Sequence, residues 1–208
     1  MQYKILSRPT HLEIRFNGNE KQCQFHNFYT SRHLTIFNIP KCASTTLKYY
    51  FEFLTKHLHK GHMKLLFLRE PYARIKSAFK MKCSNEKGTE SFTNIVLKYQ
   101  DYLQGKLVPY DKYNDMIHFI PQHSYMEAFG DKFDFVGSVE NLGHAIKQLN
   151  TNWNIQDYNL NYENKNTFED AEQQQFDHEY EKILQDNKTF YKKFLERDIK
   201  LYETYIRN

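Results

Sequence analysis

Lys41, Ser44, Thr45 and Thr46 stand close together in the run Pro40-Lys-Cys-Ala-Ser-Thr-Thr46. One mobile cation and three hydroxyls at that spacing form a cradle for a phosphate or sulfonate group, provided that a helix begins here. The first-turn N–H groups of a helix have no intrahelical acceptor, and the helix dipole favours an anion. The backbone of Cys42 and Ala43 then belongs to the same cradle. The run is not a nucleoside-triphosphate loop, because it has no glycine and carries its lysine first. The same residues also read as an ordinary helix start capped by Ser or Thr. Further on, Arg69 offers a planar fork of donors, and Ser77 follows eight residues later. Two separated anion sites suit a ligand with two phosphate groups. The plainer readings are an ion pair of Arg69 with Glu70 or Asp101, and Ser77 as a small residue at a close helix contact.

These residues need a sheet edge to bring them together. His33-Leu-Thr-Ile-Phe-Asn-Ile39 reads as a strand ended by Pro40, and Leu47, Tyr50, Phe51 and Leu54 then recur at helical spacing. Lys64-Leu-Leu-Phe-Leu-Arg69 is a continuous apolar run of the kind buried in a parallel sheet. Pro71 suits a first helical turn, and Ile75, Ala78, Phe79 and Cys83 continue the helix. Arg69 thus closes its strand at the C-terminal edge, where ligands of open α/β sheets collect. The spacing further predicts a helix over 91–104, a strand over 133–139, helices over 141–150, 168–184 and 189–205, and a polar loop over 151–167. Alternation of strand and helix predicts the α/β class, with a parallel sheet and helical crossovers. Ahead of it, His11–Phe16 and Lys21–Phe28 flank Asn17-Gly18, a tight-turn pair, and read as a β-hairpin.

Composition narrows the function classes. A chain of 208 residues supports one domain, read here as a hairpin extension over 1–32 and a core over 33–208. With 40% hydrophobic residues it is not a disordered chain. The net charge of +4 fits an anionic ligand, and no run of five or six like charges suggests a nucleic-acid arm. Cys23, Cys42 and Cys83 are odd in number and lack C-x-x-C spacing, which speaks against a disulfide framework or zinc site and for a reducing compartment. No leader-like segment and no apolar run near the ~20 residues of a membrane span occurs. The expectation is a soluble, cytoplasmic protein without a membrane span. His57, His59 and His62 lack a carboxylate or cysteine at ligand spacing, so no metal is expected.

At this point a family resemblance is plain. Ile39-Pro-Lys-Cys-Ala-Ser-Thr-Thr-Leu47 resembles the 5'-phosphosulfate loop of sulfotransferases that use 3'-phosphoadenosine-5'-phosphosulfate (PAPS). Phe67-Leu-Arg-Glu-Pro-Tyr-Ala-Arg-Ile-Lys-Ser-Ala-Phe79 resembles their 3'-phosphate segment. His118-Phe-Ile-Pro-Gln122, Phe135-Val-Gly-Ser-Val-Glu-Asn-Leu142, Asn164-Lys-Asn-Thr167 and Phe194-Leu-Glu-Arg-Asp-Ile-Lys-Leu-Tyr202 are similar to later blocks of the carbohydrate-sulfotransferase branch. The resemblance runs in order from about residue 34 to 205 and leaves the hairpin uncovered. It implies a P-loop-like sheet flanked by helices, PAPS as sulfonate donor without a metal, and a hydroxyl acceptor, of a glycan or small alcohol. It implies that Lys41 bridges toward the sulfonate and leaving oxygen, that residues 41–46 hold the 5'-phosphate, and that Arg69 and Ser77 hold the 3'-phosphate.

The chain departs from the pattern where about seventeen residues separate Lys48 from Leu66. Many relatives carry a longer insertion there, which in some branches supplies the catalytic base. Among ten histidines, His118 is the first choice for the base, because it lies in a family-like block and His is tuned for proton transfer near neutral pH. His59 and His62 are next, and Glu52 is a further candidate. Cys42 at a helix N-terminus could have a lowered thiol pKa, but no partner for a nucleophilic role is specified. The alternatives are a module that binds the nucleotide without catalysis, a kinase, which the missing glycine-rich loop opposes, and an RNA-binding protein, for which no aromatic-basic motif exists.

Overall fold

A computed structural model describes residues 3–8, 11–16, 19–23, 28–58, 61–86, 90–106, 116–130, 132–155 and 169–207. The central sheet is built from β4 (Phe28–Thr30), β5 (Leu34–Phe37), β6 (Met63–Leu68) and β7 (Phe135–Ser138), in that spatial order. β5, β6 and β7 are parallel, with Ile36 opposite Leu65 and Phe67 opposite Gly137, while β4 is an antiparallel edge. Gly137 is required by packing. A Cβ there would lie 2.9 Å from the Phe67 ring and 2.8 Å from that of Phe135.

Successive side chains of a strand point to opposite faces, and here each face has its own core. Leu34, Ile36, Leu65 and Phe67 face one side and pack with Leu47, Tyr50 and Leu54 of α1 (Ser44–His57) and Leu142, Ile146 and Leu149 of α5 (Leu142–Asn152). Phe37, Leu66 and Leu68 face the other side. There they meet α2 (Pro71–Asn85), α3 (Phe92–Gln104), α4 (Gln122–Phe129), α6 (Asp170–Asp186) and α7 (Lys188–Tyr202). Helices on both faces of a largely parallel sheet are the α/β architecture expected from the alternation.

Helix ends follow local chemistry where it exists. Pro71 opens α2 and the Glu70 carboxylate accepts from Ala73 N at 2.6 Å, while Ser91 caps α3 and Gly105 ends it at φ 74°. The last helix runs into a π-helical turn, Glu203–Arg207.

The expected hairpin is part of a three-stranded antiparallel sheet: β1 (Tyr3–Arg8), β2 (His11–Phe16) and β3 (Asn19–Cys23). Phe16 pairs with Asn19, so two residues join β2 to β3, as the Asn17-Gly18 signal requires. The return strand ends at Cys23, and Phe28 already belongs to the central sheet. The block Asn164–Thr167 and most of the 151–167 loop lie outside the described residues. Among the described residues, no helix is long and apolar enough to cross a membrane.

Candidate anion-binding site

Strand β5 leads through Asn38 and Ile39 into the cradle loop, and the loop is held from several sides. Lys41 (φ 69°) and Ala43 (φ 60°) are both left-handed, a conformation that costs a residue with a Cβ and persists only when its surroundings fix it. Cys42 N donates to Ile39 O at 3.0 Å. Arg74 Nε donates to Pro40 O at 2.9 Å and Arg69 Nη1 to Lys41 O at 3.1 Å. The cap residue of α1 is Ala43, with no side-chain cap bond. The ordinary Ser/Thr cap is therefore not what this loop builds.

Gln122 ties the cradle loop to Arg69. Its Oε1 accepts from Cys42 Sγ at 3.2 Å and from Arg69 N at 2.9 Å, and its Nε2 donates to Arg69 O at 2.7 Å. Gln122 is itself fully buried and fixed by Asp198 of α7, which is also fully buried. The Asp198 carboxylate accepts from Gln122 N at 2.7 Å, His123 N at 2.8 Å and His123 Nδ1 at 2.7 Å. It thus supplies the cap that α4 lacks in its own sequence. Arg69 sits just past the C-terminal end of β6, as expected, and neither Glu70 nor Asp101 takes it. The nearest carboxylate is Glu140, 3.8 Å from Nε, and Glu140 is engaged by Ser138 at 2.8 Å, Tyr202 at 2.9 Å and Glu70 N at 3.1 Å.

Positive charge gathers at this edge. Arg74, Ala78 and Lys82 follow at i, i+4 and i+8 along α2, on one face, and all three are buried, Arg74 at 0% exposure and Lys82 at 2%. Burial, and then the charges of Arg69, Lys82 and Arg74, pull the Lys41 ammonium down to about 8. Burial, and then the charges of Lys82, Lys41 and Arg74, lower the His118 imidazole to about 2. His118 Nδ1 is buried and has no hydrogen-bond partner. Burial pushes the Cys42 thiol up to about 11, against the pull of Arg74 and Arg69. The lowering expected from a helix N-terminus does not win there, and Cys42 serves as a neutral donor to Gln122.

The sequence-derived residues therefore divide. Lys41, Arg69 and His118 share one electrostatic neighbourhood, next to Cys42, Ala43, Ser44, Thr45 and Thr46 in the loop and first turn of α1. Ser77 lies on α2, three residues past Arg74 and partly buried. His62 lies at the opposite end of the sheet. Its ring nitrogens contact Thr35 Oγ1 at 3.0 Å and Arg32 O at 3.2 Å, beside the starts of β5 and β6. Glu52 is exposed on α1, and His59 lies outside the described residues. Gln122, Arg74, Lys82, Glu140 and Asp198 were not singled out from the sequence. Gln122 follows the apolar run Phe119-Ile120-Pro121, whereas Arg74, Lys82, Glu140 and Asp198 have other polar or charged residues close by, so the local sequence does not mark them. Among the described residues, no group of three or more His, Cys, Asp or Glu is gathered as metal ligands.

Comparison with protein families gives a match to the Sulfotransferase family over residues 52–205. The match takes in Arg69, Ser77, His118 and Gln122 and begins after the cradle loop, so the reading of Lys41 to Thr46 stands on the geometry above. Neither the curated proteins nor the solved structures contain a match. With about three quarters of its length covered, from the middle of α1 to the turn that follows α7, this chain belongs to the Sulfotransferase family.

Proposed function

We propose that the protein transfers a sulfonate group from PAPS to an acceptor hydroxyl, of a carbohydrate or a small alcohol. The observation that supports this most is the meeting of Lys41, Arg69 and Arg74 at an uncapped helix start, with both arginines bonded to the carbonyls of Pro40 and Lys41. Such a site takes an oxyanion and holds it by preorganised donors. A donor with phosphate groups at both its 3' and 5' ends fits the two segments that Gln122 joins.

In this reading the first turn of α1, with Ser44, Thr45 and Thr46, holds the 5'-phosphate. Arg69 and Ser77 hold the 3'-phosphate. PAPS supplies a sulfonate already activated by its link to that 5'-phosphate. The acceptor oxygen attacks sulfur, the bond from sulfur to the bridging phosphate oxygen breaks, and Lys41 takes up the charge that grows on that oxygen. His118 takes the acceptor's proton. It is neutral at pH 7, the form that accepts a proton. The anionic donor offsets the cations that depress its basicity, so His118 becomes a better base once the donor is seated. The buried free thiols of Cys42 and Cys83 agree with a reducing compartment such as the cytoplasm.

The test is calorimetry with adenosine 3',5'-bisphosphate, AMP and ATP. The bisphosphate binds about tenfold or more tightly than AMP, the worth of hydrogen bonds to one further charged group. Equal affinity for the bisphosphate and AMP sinks the 3'-phosphate assignment of Arg69 and Ser77.

A further inference from the structure

We infer that Arg74 is a direct ligand of the oxyanion group at the 5' end of the donor nucleotide, beneath the loop that carries Lys41. The identity of the nucleotide rests on the PAPS reading above, while the need for an oxyanion rests on the residues alone.

Arg74 is 0% exposed, and its Nε is committed to Pro40 O. Its two terminal nitrogens, Nη1 and Nη2, are buried and have no hydrogen-bond partner. A guanidinium cannot shed its charge to lessen that cost, and a dry, unsatisfied cation is among the least tolerable groups in a protein interior. A buried polar group left so in a native fold calls for an ion or water that completes it. The charge of a neighbouring cation cannot do so, and Lys41 lies within the reach of the Arg74 field. His118 Nδ1, buried without a partner in the same field, repeats the signal from a different segment. The 5' end is indicated by position. Arg74 is hung from the carbonyl of the residue before Lys41, and α1 starts three residues beyond. A planar fork with two open N–H₂ groups matches two oxygens of a phosphate or sulfonate.

The competing role is a strut that only holds the loop. Calorimetry on the full chain separates the two, with 5'-AMP, 3'-AMP, adenosine 3',5'-bisphosphate and inorganic sulfate as probes for wild type, Arg74→Met and Arg74→Lys. Arg74→Met is expected to weaken 5'-AMP and the bisphosphate about 10- to 100-fold, the range for bonds to a charged group, and to leave 3'-AMP within twofold. Arg74→Lys keeps the charge without the fork, so it weakens 5'-AMP by less and again spares 3'-AMP. Unchanged 5'-AMP affinity in Arg74→Met, or equal losses for 5'-AMP and 3'-AMP, overturns the inference and leaves the strut. Should Arg74→Met fail to fold, Arg74→Lys decides, and an unchanged 5'-AMP affinity there is the overturning result. If wild type binds sulfate and none of the nucleotides, the PAPS reading falls by itself, and loss of sulfate binding in the variants still sustains Arg74 as an oxyanion ligand. Wild type that binds none of the four probes overturns both.

Discussion

Replacing Lys41 with methionine slows sulfonate transfer by about 10²–10³-fold, the usual loss when one donor to a developing oxyanion is removed. Affinity for adenosine 3',5'-bisphosphate falls much less. The charge on the bridging oxygen is larger in the transition state than in the bound donor, so a group that answers it acts on turnover more than on binding. Single-turnover kinetics beside calorimetry measure the split, and equal losses in both would make Lys41 a binding residue only. The pH profile carries the same signature. Burial and neighbouring cations bring Lys41 down to about 8, so kcat/KM falls as pH rises through about 8, where the free protein loses this charge. Lys41→Arg moves that alkaline fall upward, because a guanidinium stays charged. The stability sign is opposite. With the folded value below the ordinary 10.5, the unfolded chain binds more protons between about 8 and 10.5. The contribution of Lys41 to stability therefore rises with pH across that window and is lost as pH falls through about 8. Lys41→Met lacks that rise.

His118→Ala slows transfer by about 10²–10⁴-fold, the span of general acid–base catalysis, and leaves bisphosphate affinity close to wild type. The loss is greater for a sugar alcohol than for a phenol, which ionises with less help. A base held down to about 2 by burial and by Lys82, Lys41 and Arg74 also fixes the shape of the acid side. The kcat/KM for the donor does not decline between pH 7 and pH 5 on account of His118, since the residue is unprotonated in the free protein across that range. Rates measured with two acceptors of different acidity check both points. A wild-type rate for His118→Ala would remove it as the base. His62, tied at the far end of the sheet, and exposed Glu52 are poorly placed to replace it.

Much of the sheet and its edge can be read from local pattern. The run Lys64–Arg69 predicts β6 within a residue, because a strand buried on both faces has no polar interruption to blur it. Pro71 and the apolar spacing behind it mark α2. What escapes is whatever depends on residues distant in sequence. Helix α4 has no cap of its own, since the carboxylate that caps it comes from Asp198, on α7. Gln122 looks like an ordinary polar residue until Cys42 and Arg69 are brought against it. Arg74 and Lys82 share a helix face with Ala78, yet their charge alone speaks for solvent, and they are buried because α2 turns that face toward the cradle loop and the aromatic ring of Tyr99. β1 completes a sheet whose other two strands alone carry the turn signal.

The measurement that bears most directly on the central claim is single-turnover transfer from sulfonate-labelled PAPS to a panel of glycans, small alcohols and phenols, with calorimetry of adenosine 3',5'-bisphosphate on the same preparation. The account predicts label on at least one hydroxyl acceptor, unchanged by a chelator and strongly reduced in Lys41→Met. Tight binding of the bisphosphate with no label on any acceptor would contradict it, and would make the protein a nucleotide-binding module without catalysis.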